Sequence, residues 1–345
     1  MIHKFIFLPL ISFLLSYFLT GIFKKIAIKF NILDFPDKRK VHKIATPLLG
    51  GLSIYFSILF IFLLNFSDFK FLSLVMLASS IILILGLIDD IKGLSANLRL
   101  LVQVFCAFIV ISVERISFLP KNFFLDFLEV IITLIWIVGI TNAYNYLDGL
   151  DGLAAGSFII NSFFLFLILL FSKQFNLALF FLIFLFASFG FLPYNFKKAK
   201  IFLGDSGSTF LGFLLASIVL FGNWAEDNLV KISIPVLILG VPIFDMIFTT
   251  ITRIMNKKIH NISEWLSYAS KDHFHHSLVD LGLSKYEAVI FIYLINIFLG
   301  ISAIMVSNDK ANEAILSFCS VFIIFLLLSI LILVGRRHKS GWKIE

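Results

Sequence analysis

The segment Leu87-Ile88-Asp89-Asp90-Ile91-Lys92-Gly93-Leu94 places two adjacent carboxylates at the end of an apolar run. Side by side they repel each other, which is costly unless a cation or a proton is shared between them. That pattern suits a Mg²⁺ site or a general base, with Lys92 as the bland counterion. Arg99 follows, placed to meet a phosphate. In Asn142-Ala143-Tyr144-Asn145-Tyr146-Leu147-Asp148-Gly149-Leu150-Asp151-Gly152-Leu153, the residues Asn142, Asn145, Asp148 and Asp151 recur every third position. Neighbours in that series share a helix face. The whole series drifts by about half a turn on an ideal helix, unless Gly149 and Gly152 break the backbone. Either way it gathers oxygen donors, the ligand type that Mg²⁺ prefers.

A third segment runs from Pro193-Tyr194-Asn195-Phe196 through Lys197, Lys198 and Lys200 to Ile201-Phe202-Leu203-Gly204-Asp205-Ser206-Gly207-Ser208. Glycines and serines around an acid predict a tight turn that opens a helix, whose free N–H groups would face a phosphate. Asp205 would hold the metal that neutralises the phosphate, and Phe202 offers a ring for stacking on a base. The fourth segment is Lys271-Asp272-His273-Phe274-His275-His276-Ser277-Leu278. Three histidines within four residues suit a transition metal or an anion cradle. Zinc is the weaker choice, because no cysteine is near and the other acids favour a hard cation. Asp245 lies inside an apolar run and pairs with Arg253 only if the helix between them bends.

What must position these segments is a membrane scaffold. Of the 345 residues 60% are hydrophobic, 14% are charged and 44 are phenylalanine. Soluble domains carry about 45–50% apolar and about 25% charged residues. The composition excludes an ordinary soluble enzyme, a nucleic-acid binder and a secreted disulfide scaffold, and β-barrels alternate apolar with polar residues. An all-α, polytopic membrane protein remains. Apolar runs predict eleven spans, at roughly 5–23, 48–66, 70–88, 100–113, 123–141, 154–172, 177–194, 208–222, 232–252, 287–306 and 313–335. The first reads as a retained helix, since no small-residue cleavage pattern follows it. Cys106 and Cys319 sit inside such runs and read as small buried hydrophobes. The chain is expected to form one integral-membrane domain over 1–345.

With eleven crossings, one side receives loops 24–47, 89–99, 142–153, 195–207, 253–286 and the tail after 335. Those loops hold 21 of the 28 Lys and Arg residues. The positive-inside rule puts them in the cytoplasm and the N-terminus outside. The same loops carry Asp34, Asp37, Asp89, Asp90, Asp148, Asp151, Asp205, Asp272 and Asp280. Function is therefore expected to face the cytoplasm, and the net charge of +7 reads as topology plus anionic substrates.

Taken in order, the motifs resemble the polyprenyl-phosphate N-acetylhexosamine-1-phosphate transferase superfamily, glycosyltransferase family 4. The resemblance begins at Asp34-Phe35-Pro36-Asp37-Lys38-Arg39-Lys40-Val41-His42 with Thr46-Pro47 and Gly50-Gly51. It continues through Asp89-Asp90, the Asn145 to Gly152 run and Gly204 to Ser208, and ends at His273 to His276. The last loop is similar to the WecA-like and TagO-like branch, whose eleven-span, N-outside topology agrees with the charge count. The related MraY branch has three consecutive histidines there. Ser277 departs from the Arg that often precedes Leu in the WecA-like pattern. The dolichol-phosphate branch has an Arg-rich loop that this chain lacks, so a prokaryotic enzyme is expected.

The resemblance implies transfer of a sugar-1-phosphate from a UDP-N-acetylhexosamine to polyprenyl phosphate at the plasma (inner) membrane, with UMP released. It further implies Mg²⁺, or Mn²⁺ in its place, on Asn145 and Asp205, and phosphate contacts from Arg99, His273, His275 and His276. Uridine contacts would come from Asp151, Asn195 and Phe202. Asp89 and Asp90 would bind or deprotonate the lipid phosphate or organise the metal, and Asp148 would support the metal or the nucleophile. Expected partners are the bilayer, the UDP-sugar, the lipid acceptor and a second copy of the chain, with no nucleic acid. A secondary transporter is the competing class; it calls for acids near mid-membrane in broken helices, whereas here only Asp245 reaches inward.

Overall fold

A computed structural model describes residues 2–36, 44–117, 122–260, 264, 268, 272–307 and 311–339. The motif positions Asp37 to His42, and with them Lys121, Lys271 and Lys310, lie outside the described residues. The helices run α1 (Ile2–Lys29), α2 (Gly50–Leu64), α3 (Phe66–Phe69), α4 (Ser73–Lys92), α5 (Ala96–Ile111), α6 (Phe123–Leu147) and α7 (Leu153–Phe171). They continue as α8 (Phe175–Asn195), α9 (Gly204–Ile218), α10 (Asn228–Ile238), α11 (Gly240–Met255), α12 (Phe274–Asp280), α13 (Lys285–Val306) and α14 (Ala311–Lys339). A short antiparallel pair, β1 (Leu33–Asp34) with β2 (Thr46–Pro47), sets Leu33 opposite Pro47 and Asp34 opposite Thr46.

Among the described residues, eight helical stretches are long and apolar enough to cross a bilayer. The chain is thus an all-helical, multi-pass membrane protein. Each of the eleven predicted runs falls on a helix, but not all reach spanning length. α2 and α5, with 15 and 16 residues, fall short of the ~20 a straight crossing needs. α10 and α11 pass together only as a pair bent by 76°. Pro242 sits in the first turn of α11, where its missing N–H costs nothing but the preceding helix cannot continue through it.

The chain packs as two compact units, Met1–Trp224 and Ala225–Glu345. The polar stretch Asn223 to Asn228 separates the last apolar run of one from the first of the other. In the first unit α8 packs on α1, α2 and α7, and α9 packs on α2, α4 and α6. Its core is aromatic: the rings of Phe180 and Phe184 lie 4.5 Å apart, and Phe69 is 4.8 Å from Phe180. On the outer faces Phe123 and Phe124 are 91% and 71% exposed. Water would not tolerate so many exposed aromatic and aliphatic side chains; lipid does.

Two glycines let helices grip the start of α9. A Cβ on Gly51 would lie 2.2 Å from Gly207 Cα, and one on Gly86 would lie 2.5 Å from Ser206 Cα. The backbone N–H groups of Gly50 and Gly51 donate to the carbonyls of Phe202 and Leu203 at 2.9 and 3.1 Å. The Gly50-Gly51 motif therefore fastens α2 to the α8–α9 loop. In the second unit α10 packs on α13 and α14, while α11 and α12 meet each other and α13.

Candidate active site

The acidic site of the first unit forms where α4, α6 and α9 end or begin. Gly93, with φ of 69°, stops α4 just past the Asp89-Asp90 pair. Asp89 accepts from Leu94 N (2.6 Å) and from Arg99 Nη1 (2.8 Å). Asp90 accepts from Asp205 N (2.7 Å) and Ser206 N (3.1 Å). The repulsion expected between neighbouring carboxylates is thus relieved separately, each acid having its own donors. The start of α9, expected to cradle a substrate phosphate, is occupied by Asp90 instead.

Asp205 projects from the first turn of α9 with its side chain 39% exposed. Its Oδ1 accepts from Asn145 Nδ2 at 2.7 Å, and its Oδ2 lies 3.8 Å from Arg99 Nη1. The same Asn145 nitrogen donates to Ser208 Oγ at 2.9 Å, while that hydroxyl donates to Gly204 O. Because Ser208 uses its proton on the carbonyl, it must accept from Asn145, which fixes the amide with its nitrogen toward Asp205. Asn145 therefore orients Asp205 through its amide nitrogen.

The series from Asn142 to Asp151 does not continue on one helix face, because α6 ends at Leu147 and Gly152, with φ of 79°, opens α7. Asn142 turns away to Gln103, donating to its Oε1 at 2.7 Å. Asp148 caps α6. Asp151 accepts from Ala199 N at 3.0 Å. Asn195 is 2% exposed, accepts from Gly152 N and donates to Ile201 O, both at 3.0 Å. It ties the α6–α7 turn to the α8–α9 loop rather than presenting a free amide to a nucleotide. Phe202 is part-exposed in that loop, its N–H bonded to Pro47 O. Gln103 was not anticipated; its signal is an amide inside an otherwise apolar run.

Asp148 is the acid whose surroundings press on it most. Burial, and then the carboxylates of Asp205, Asp90, Asp151 and Asp34, push its pKa well above the usual carboxylate value. With the native pKa raised above the unfolded one, this group supports the fold at low pH, and that support is lost as pH rises through the raised value. We therefore expect Asp148→Asn to raise the melting temperature in detergent, most at alkaline pH, with the gain shrinking on acidification. A gain that grew on acidification would contradict this reading.

The three histidines of the last loop, His273, His275 and His276, lie in the second unit. Asp245 is 1% exposed; it accepts from His273 Nδ1 (3.0 Å) and from Phe274 N (2.6 Å). Arg253 does not pair with Asp245, because α11 runs unbroken between them and the bend such a pair needs is not there. It forks onto Asp272 through Nε (2.9 Å) and Nη2 (2.7 Å), with the Tyr268 ring 4.9 Å from its guanidinium carbon. The loop folds back on α11 and supplies each charged group with a nearer partner. Arg253 Nη2 also lies 3.3 Å from His273 Nε2. Arginine only donates, so in this contact His273 Nε2 accepts and Nδ1 donates to Asp245. His275 is 1% exposed, and burial followed by His276 and His273 lowers its pKa well below the usual value. Of the three, His276 is the part-exposed ring, so the phosphate role expected of all three fits His276 best.

Residues 72–223, which include every acid of the first-unit site except Asp34, match the model of glycosyl transferase family 4. A relative from Bacillus subtilis, a probable undecaprenyl-phosphate N-acetylglucosaminyl 1-phosphate transferase, is 37% identical over 327 residues, covering 92% of this chain and 88% of its own. The chain belongs to glycosyl transferase family 4. An undecaprenyl-phosphate alpha-N-acetylglucosaminyl 1-phosphate transferase from Thermotoga maritima is 32% identical, with 82% and 91% covered. A decaprenyl-phosphate N-acetylglucosaminephosphotransferase from Mycolicibacterium smegmatis is 31% identical, with 81% and 77% covered. The resemblance drawn from the motifs is borne out.

The donor set can be tested for a divalent cation. Among the described residues no three His, Cys, Asp or Glu side chains converge as a metal cage. Mg²⁺ seldom uses one; it takes one or two carboxylates together with substrate phosphates. Asp205, part-exposed, and Asp148, pressed by four other carboxylates, supply that oxygen chemistry and fit the ion.

Proposed function

We propose that the chain transfers N-acetylglucosamine-1-phosphate from UDP-GlcNAc to a polyprenyl phosphate, releasing UMP, as a membrane step in cell-envelope polysaccharide synthesis. The observation that carries this is the part-exposed Asp205, oriented by Asn145 and faced by Arg99, in a family 4 chain whose relatives are named for that transfer. The bias of 21 of 28 basic residues to one set of loops supports eleven crossings with the N-terminus outside and the site at the cytoplasmic face of the plasma membrane. A homodimer is compatible with the reading and plays no part in it.

In this reading an oxygen of the lipid phosphate attacks the donor's β-phosphorus. The β-phosphorus–oxygen bond to the α-phosphate breaks, and UMP leaves with the electron pair. A phosphate monoester is largely ionised near neutral pH, so no base is needed and direct attack is preferred to an aspartyl intermediate. Catalysis of such a step is mainly positioning and charge neutralisation. Arg99, 34% exposed and held by Asp89, supplies a fixed positive charge. Asp205 and Asp148 would hold Mg²⁺, which when bound neutralises the diphosphate. Asp151 and Phe202 border the loop where uridine would lie, and Asn195 holds that loop in shape.

Purified protein with polyprenyl phosphate is expected to release UMP from UDP-GlcNAc, and to prefer that donor in a panel including UDP-MurNAc-pentapeptide. Solute flux in proteoliposomes without UMP release would point to a transporter instead. EDTA is expected to stop turnover and Mg²⁺ or Mn²⁺ to restore it; undiminished release in chelator would reject the metal assignment.

A further inference from the structure

The two acids of the Asp89-Asp90 pair have different surroundings. Asp89 holds Arg99 and the turn at Leu94. Asp90 touches no described cation; both its oxygens accept backbone N–H groups at the first turn of α9. Those are the groups that a helix leaves without partners at its start. They are usually capped by a side chain just before the helix. Here Leu203 precedes α9 and offers no side-chain cap. The carboxylate comes instead from α4, and its charge suits the positive end of the helix dipole.

The fit leaves no spare room. Gly204 has φ of +75°, and a Cβ on it would stand 2.5 Å from Asp90 Oδ2. Gly86, one turn before Asp90 on α4, brings the two backbones together. We propose that Asp90 is a positioning residue whose carboxylate seats the first turn of α9 and thereby holds Asp205 toward the substrate phosphates. The proposal rests on the reading of Asp205 as a substrate-facing acid. It assigns Asp90 no contact with the lipid phosphate and no proton to move.

The test uses the full-length protein in detergent or nanodiscs and joins amide hydrogen exchange, read by mass spectrometry over 203–209, to UMP-release kinetics. In the wild type, the amides of Asp205 and Ser206 are expected to exchange more slowly than the preceding loop; fast exchange there overturns the proposal without any variant. Asp90→Asn keeps one accepting oxygen and Asp90→Ala none, so exchange at these amides should speed up in that order, by about tenfold or more for Ala. Turnover should fall in the same order, with kcat carrying the loss, on the order of tenfold to a hundredfold. KM for polyprenyl phosphate should hold within about twofold, because uniform binding is untouched. The residual pH–rate profile of Asp90→Asn should keep its wild-type shape.

Gly204→Ala disturbs the same contact without touching a carboxylate. It should reproduce the faster exchange and the lower kcat, and it decides the matter if the Asp90 variants do not insert. Full amide protection in an inactive Asp90→Asn, or wild-type protection and turnover in Gly204→Ala, would show instead that the Asp90 charge acts on substrate. Exchange is read without substrate. A wild type that is protected as expected but releases no UMP from any UDP-sugar would sink the functional reading and leave the seating by Asp90 standing.

Discussion

Asp205→Asn is expected to insert and fold as the wild type does and to lose turnover by about 10²–10³-fold, the usual scale for removing one preorganised electrostatic group. The backbone N–H of residue 205 still donates to Asp90, so α9 keeps its seat. Asn145 keeps Ser208 as a partner. What disappears is the charge that opposes Arg99 and would hold the cation. The check is UMP release by the purified variant, with Mg²⁺ binding followed separately by calorimetry. Near-normal turnover of UDP-GlcNAc would remove Asp205 from the chemistry.

The second large effect concerns stability. Arg253→Ala removes two short bonds to Asp272 and the stacking on Tyr268, in a setting where Arg253 is 2% exposed. Breaking a buried ion pair from one side costs about 3–5 kcal/mol. We expect an early-melting phase in thermal unfolding monitored in detergent. Arg253→Lys keeps the charge but loses the fork, so it should fall between. Replacing both partners with apolar residues of similar volume, Arg253→Met with Asp272→Leu, should recover most of the loss. A double variant no better than Arg253→Ala would show that the pair is not the source of the effect.

Helical membrane architecture was legible because it depends on composition summed over long windows. The site was legible only by residue type. Asp89, Asp90 and Asp205 stand out in sequence, yet the partners that define them do not: Leu94 N, Ser206 N and the 115-residue separation between Asp90 and Asp205 leave no local trace. The period of three from Asn142 to Asp151 suggested one ligand cluster. The helix stopped at Leu147, and the four residues went to Gln103, Asp205, the α6 cap and Ala199. Arg253 and Asp245 sit two turns apart on one helix, too far to pair without a bend, and the partners each one takes, Asp272 and His273, come from a loop the helix pattern does not point to. In each case the missing information was a long-range backbone donor or a loop contact, neither of which has a sequence period.

The grip of Gly51 and Gly86 on the first turn of α9 has a consequence for how this enzyme can change over time. At those two positions the neighbouring helix is backbone, and every replacement for glycine adds atoms. Variation there runs in one direction only, toward collision. The α8–α9 loop just before it carries exposed side chains at Lys198 and Lys200, where a replacement meets solvent rather than a neighbouring backbone. A lineage, or a laboratory selection for a new donor sugar, would therefore find its variation in the loop, while the turn that carries Asp205 is inherited unchanged.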